Sequence, residues 1–89
     1  MGDKEIRDYV RLILRSYSRY FGRRGVLNSD GMRILNEIIR EIAKFKPELL
    51  RIAKDVRRNP TLEAFMKLAE RVLGDEAYTI LNEVINYYV

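Results

Sequence analysis

Cysteine, histidine, glutamine and tryptophan are all absent from this 89-residue chain. Without cysteine there is no disulfide, no thiolate nucleophile and no zinc–sulfur site. Without histidine the commonest general base and the commonest imidazole metal ligand are missing. Hydroxyls are present at Ser16, Ser18, Ser29, Thr61 and Thr79, but no imidazole is there to activate them. The glycine-containing stretch "GRRGVLNSDG" lacks the Gly-Lys-Ser/Thr of a phosphate loop. The acidic residues sit on polar faces beside bases, so no dry carboxylate pair for acid–base work is expected. No apolar run approaches the roughly 20 residues that span a bilayer. The opening "MGDKEIRDYV" has no apolar core of a signal peptide. These absences lead to the expectation of a non-enzymatic, cytoplasmic protein with no cofactor, no metal, no small-molecule substrate and no membrane contact.

The chain is 47% hydrophobic and 34% charged, the balance of a folded domain and not of a disordered tail. Its length fits one domain with a modest core, to which a partner could add stability. Arginine, glutamate and isoleucine are abundant while cysteine and glutamine are missing, which leans toward a heat-adapted source. The net charge of +4 is unevenly spread. Residues 1–46 hold eleven Lys/Arg against six Asp/Glu, whereas residues 47–89 hold six against seven. A positive field confined to one half raises the odds of a polyanionic partner.

Apolar spacing predicts an all-α compact bundle of about five short helices in a single domain covering 1–89, with no strand. Helix 1 is expected at about 4–21, where Ile6, Val10, Ile13, Leu14, Tyr17 and Phe21 fall within an arc of about 100°. Gly22 and Gly25 end it, and Asn28 or Ser29 caps a second helix at about 30–45. That helix buries Ile34, Leu35, Ile38, Ile39, Ile42 and Phe45. Pro47 breaks the pattern and opens a third helix at about 47–57. Asn59 and Pro60, as cap and first residue, start a fourth at about 60–73, which Gly74 closes. A fifth at about 75–88, capped by Asp75, is expected to turn Tyr78, Leu81, Val84, Ile85 and Tyr88 inward.

The stretch "RDYVRLILRSYSRYFGRRG" carries an arginine at 7, 11, 15, 19 and 23, with Arg24 beside the last. On a continuous helix four residues overshoot one turn by about 40°, and each step climbs about 6 Å. The five arginines then sweep the face opposite the apolar arc. Their rise is close to the spacing of phosphates along one nucleic-acid strand, roughly 6–7 Å. Arginine holds phosphate with a two-pronged fork where lysine acts as a point charge. Between residues 7 and 24 there are six arginines, no lysine and one acid, Asp8. Like charges four residues apart cost an isolated helix about 0.2–0.5 kcal/mol each. A polyanion would reverse that term. The alternative is that Glu63, Glu70, Asp75, Glu76 or Glu83 cross over from the last two helices and neutralise the ladder. Leu12 lies on the arginine side and is expected to be exposed.

Arg57 and Arg58 end the third helix, where cations also suit the helix dipole. Arg33, Arg40 and Lys44 alternate with Glu37 and Glu41, as on an ordinary solvated face. Tyr17, Tyr78 and Tyr88 have core spacing, while Tyr9, Tyr20 and Tyr87 fit a core rim or a stacking surface.

Residues 27–89 resemble the small helical subunit of type III-A CRISPR effector complexes. The segments "LNSDGMRILNEIIREI", "FKPELLRIAKDVRRN" and "LEAFMKLAERVL…YTILNEVINYY" carry the resemblance. It implies a subunit that contacts target RNA through its backbone without reading bases, and that has no nuclease activity of its own. By position it assigns such contacts to Arg33, Lys54, Arg57 and Arg58. The ladder lies outside the matched region, so Arg7, Arg11, Arg15, Arg19, Arg23 and Arg24 enter on charge alone. The expected partner is therefore nucleic acid, RNA ahead of DNA, together with protein partners or self-association. A histone-like reading of residues 29–73 is opposed by Pro47, which falls inside its long central helix. A helix-turn-helix at 47–73 offers only Thr61 as a base-reading side chain. A plain protein-interaction module remains the other alternative.

Overall fold

Local sequence sets six helices in the computed structural model, which describes residues 2–88 with the side chains of Tyr87 and Tyr88 excepted. They are α1 (Gly2–Arg15), α2 (Tyr17–Tyr20), α3 (Ser29–Phe45), α4 (Leu50–Arg58), α5 (Leu62–Leu73) and α6 (Glu76–Tyr88). A single 3₁₀ turn, Pro47–Leu49, precedes α4. The all-α bundle expected from spacing is what forms.

The first expected helix is two. It breaks at Ser16 (φ −107°, ψ 42°), and α2 is one short turn. Ser16, Tyr17, Ser18, Tyr20 and Phe21 are all middling helix formers, so little local preference resists the break. Tertiary ties favour it. The Asn28 amide N–H donates to Tyr20 O at 2.8 Å, and Asn28 Nδ2 donates to Arg19 O at 2.6 Å. Tyr17 stacks on Phe21 at 4.8 Å, and Phe21 meets Phe65 edge-on at 6.1 Å. Tyr20, expected at the rim, is buried.

Asn28, the first of the two candidate caps, closes α3 by accepting from the Gly31 N–H at 2.9 Å. Gly31 matters for another reason. A Cβ there would lie 2.7 Å from Tyr20 O and 2.6 Å from Leu27 Cδ2, so only glycine lets α3 approach α2 this closely. Pro47 begins the 3₁₀ turn and α4 follows, close to the expected restart. At α5 the cap is Thr61, whose Oγ1 accepts from the Ala64 N–H at 3.1 Å. Asn59 and Pro60 instead stay in the connection, because the Pro60 carbonyl is held by the Leu27 N–H at 2.8 Å. Gly74 ends α5 at φ 64°, with its N–H on Glu70 O.

Residues 21–27 form a small hairpin. The Gly22 N–H donates to Val26 O at 2.7 Å and the Gly25 N–H to Gly22 O at 3.0 Å. Gly25, at φ 69°, supplies the left-handed residue that closes a three-residue loop. Arg23 and Arg24 are the corner of that turn. The hairpin is zipped to the α4–α5 connection by Leu27 N–H to Pro60 O and Leu62 N–H to Gly25 O, both 2.8 Å. Two isolated β-bridges, Phe21 with Leu27 and Val26 with Thr61, are the only extended pairing among the described residues.

The helices close around one core. α1 packs on α3, α5 and α6, while α4 packs on α3 and α5. α1 and α4 thus share two neighbours, α3 and α5, and are not packed extensively on each other. Val10, Ile13, Leu14, Leu35, Ile38, Ile42, Phe65 and Leu68 are wholly inaccessible, and among the described residues no polar side chain is buried. Three expectations fail. Phe45 is 53% exposed because α3 ends there and Lys46 leaves helical geometry. Tyr78 and Ile85 are each 45% exposed. α6 instead buries Ala77 and Ile80, with Leu81 and Val84 half-covered, a stripe rotated from the expected one. The expectations for Tyr87 and Tyr88 lie outside the described side chains.

Candidate nucleic-acid interface

The arginine ladder starts on α1, where Arg7, Arg11 and Arg15 keep the 6 Å rise expected of four-residue steps, about 1.5 Å per residue. The break at Ser16 ends that regularity. Arg19 sits on α2, and Arg23 and Arg24 sit on the hairpin corner. The six guanidinium groups therefore belong to three connected pieces of backbone, not to one straight helix. Leu12, beside them, is exposed as expected.

Arg11 is the exception to an open surface. Its Nε donates to Glu76 Oε2 at 2.6 Å and its Nη2 to Glu76 Oε1 at 3.1 Å, a two-pronged pair across α1 and α6. Asp8, one turn back, adds a contact at 3.3 Å. Glu76 is held below the ordinary glutamate range first by the hydrogen bond from Arg11, against partial desolvation, and then by the charges of Arg11, Arg15 and Arg7. One carboxylate thus sits among three arginines. The same pairing drives the Arg11 guanidinium above its already high value.

Arg7, Arg15, Arg19, Arg23 and Arg24 are exposed, and among the described residues none has a carboxylate within ion-pair distance. Arg19 has an aromatic contact, its Cζ lying 5.6 Å from the centroid of Tyr20. Of the five acids that could have neutralised the ladder, only Glu76 does. Glu70 is taken by the Tyr78 hydroxyl, which donates to its Oε2 at 2.9 Å.

The other basic residues lie elsewhere. Arg33 is exposed in the second turn of α3. Lys54, Arg57 and Arg58 are exposed on α4, a helix that packs on α3 and α5 and is not a main neighbour of α1. Arg58 makes only a 4.0 Å contact with Asp55. Arg51 joins them, and the sequence reading missed it. The signal was available, since Arg51, Lys54 and Arg58 recur at helical spacing on one face. These three, with Leu50 and Asp55, line an open depression of about 440 Å³. A larger groove of about 540 Å³ between α4 and α5 is lined by Arg58, Lys67 and Arg71 together with Asp55 and Glu70. Its mixed charge makes it a poorer anion tract.

Negative charge gathers between α1 and α3. Glu41 is pushed above its ordinary range first by a hydrogen bond with Glu5, then by partial desolvation and the negative charges of Glu5 and Glu37, against Lys44. Glu37 pairs with Arg40 at 3.1 Å, which leaves Arg40 on the ordinary mixed face expected for it. Among the described residues no group of three or more acidic side chains has the geometry to hold a metal ion, and no helix is long and apolar enough to cross a membrane. No known protein family, curated protein or solved structure matches the chain.

Proposed function

We propose that the protein is a sequence-independent RNA-binding subunit, similar in role to the small helical subunit of a type III CRISPR effector complex. The observation that carries this reading is the set Arg7, Arg15, Arg19, Arg23 and Arg24, exposed along α1, α2 and the hairpin corner and, among the described residues, without carboxylate partners. Guanidinium forks at these positions suit phosphate oxygens. The row consists of guanidinium groups alone, with no amide or carboxylate among them to pair with adenine or cytosine, which supports a grip on backbone more than a reading of sequence. RNA is preferred on the resemblance, and the end of α3 at Phe45 with the Pro47 turn after it speaks against the histone-like alternative, which needs a long central helix.

The test is a salt titration of single-stranded RNA and duplex DNA binding by fluorescence anisotropy. Five phosphate contacts give a slope of about −3.5 in log affinity against log salt, at roughly −0.7 per contact for a single strand. A variant with Arg7, Arg15 and Arg19 changed to Glu loses most binding and most of that slope. Changing the same three to Lys keeps the charge but weakens binding, as loss of the fork requires. Variants that bind like wild type would remove the ladder from the function, and a preference for duplex DNA would point to the DNA-binding alternative.

A second reading, contact with another protein, rests on a different surface. Tyr78 and Ile85 stand exposed on α6 beside half-covered Leu81. Tyr78 and Leu81 border a mostly apolar groove of about 400 Å³ that Leu62 and Met66 also line. An apolar strip of this kind suits a subunit in an assembly. Sedimentation of wild type beside Ile85→Asp checks it: a concentration-dependent increase in mass that the substitution abolishes supports the reading.

A further inference from the structure

We infer that the protein bridges two nucleic-acid segments, one on the α1–α2 arginine row and one on α4. The inference rests on the proposed RNA binding and adds a second, separate tract to it. α4 runs Leu50–Arg58 and carries four cations, Arg51, Lys54, Arg57 and Arg58, against one acid, Asp55. All four cations are exposed, and the one ion pair among them, Arg58 with Asp55, is stretched to 4.0 Å and open to water. Arg51, Lys54 and Arg58 face the same way and flank an open depression of about 440 Å³. A single backbone lying in it would meet three cations along about 10 Å of helix, at about 1.5 Å per residue.

Position makes this a second site and not an extension of the first. α1 and α4 are separate helices, each packed on α3 and α5 and neither a main neighbour of the other. The molecule measures 37 × 24 × 17 Å along its principal axes. Even the shortest of these exceeds the screening length of about 8–10 Å at physiological salt. Beyond that length two polyanions held on separate helices are screened from each other, and occupancy of one tract leaves the other usable. Internal neutralisation of α4 is slight: Asp55 makes only the stretched, exposed contact with Arg58, and Glu70 across the α4–α5 groove is engaged by Tyr78.

The test uses the full chain with two pools of the same 20-nucleotide oligouridine, one labelled with a donor and one with an acceptor fluorophore. Wild type at low salt brings the pools together and produces energy transfer that fades as salt rises. A variant with Arg51, Lys54 and Arg58 changed to Glu loses transfer, and the stoichiometry read by anisotropy at saturation falls from two RNAs per protein to one. The variant with Arg7, Arg15 and Arg19 changed to Glu loses transfer as well. Circular dichroism shows whether each variant is folded, and a refolding failure is replaced by the corresponding Ala variants, which give the same pattern at smaller amplitude. Transfer that persists in the α4 variants overturns the inference and assigns bridging to paired copies of the protein. Binding without transfer in wild type also overturns it, while leaving the proposed function intact. No RNA binding at all overturns the proposed function and this inference together.

Discussion

Glu76 restrains the arginine row by occupying Arg11. Glu76→Gln is expected to raise RNA affinity about two- to fivefold, the effect of one exposed charge contact. Glu83→Gln, which also removes a negative charge from α6, serves as the control; an equal gain there would mean that net charge alone is responsible. The same contact sets a pH dependence. Because the folded state holds Glu76 below its ordinary value of 4.5, its contribution to stability is full above that value and is lost as pH falls through the lowered one. Glu41 works in the opposite sense. Its carboxyl keeps a proton to higher pH in the folded state than in the unfolded chain, so its pairing with Glu5 weakens the fold at neutral pH and ceases to do so on acidification. Glu41→Gln is therefore expected to raise the melting temperature at pH 7 and to leave it nearly unchanged at pH 4. Thermal unfolding followed by circular dichroism at the two pH values checks this.

Among the elements, Gly74 and Gly31 fail for different reasons when given a side chain. At Gly74 a Cβ meets nothing within 4 Å, so Gly74→Ala costs only its glycine-favouring backbone (φ 64°, ψ −140°), about 1–3 kcal/mol. At Gly31 φ is ordinary but Tyr20 O and Leu27 block the space, and Gly31→Ala costs about 1–3 kcal/mol through forced displacement of α3 from α2. Urea unfolding separates the cases, because only the second should also disturb the near-ultraviolet signal of Tyr20. The helix ends were the most legible part of the sequence, since Asn28, Pro47 and Gly74 act through local backbone chemistry. Thr61 displaced Asn59 as a cap because a distant amide, that of Leu27, claims the Pro60 carbonyl. The turn of α6 was hidden for another reason. Ala77, Tyr78, Ile80, Leu81, Val84 and Ile85 cover so much of its circumference that spacing alone does not choose a buried side. The ladder was legible as a set of charges, but its division at Ser16 and the capture of Arg11 depend on contacts with Asn28 and Glu76 far along the chain.

At the scale of the whole molecule the fold closes its own core. The radius of gyration is 11.9 Å, against about 12 Å expected for a compact chain of this length. The accessible surface is 5874 Å², against roughly 5,500 Å² for a monomer of this mass. Total stability for such a chain is roughly 4–13 kcal/mol. Phe65, inaccessible and edge-on to Phe21, is the largest of the fully buried side chains. Phe65→Ala removes about 3–5 kcal/mol, enough to unfold much of the population, which calorimetry would register as loss or collapse of the transition. The seam between the hairpin and the α4–α5 connection has its own kinetic signature. The amides of Leu27 and Leu62 each donate across it, to Pro60 and Gly25 respectively. Neither can meet solvent until the seam parts, so in deuterium labelling the two should exchange on a common clock despite their distance in the chain. The hairpin bearing Arg23 and Arg24 is then posed only while residues 60–62 hold it. A lesion in that connection would loosen an arginine corner it never touches.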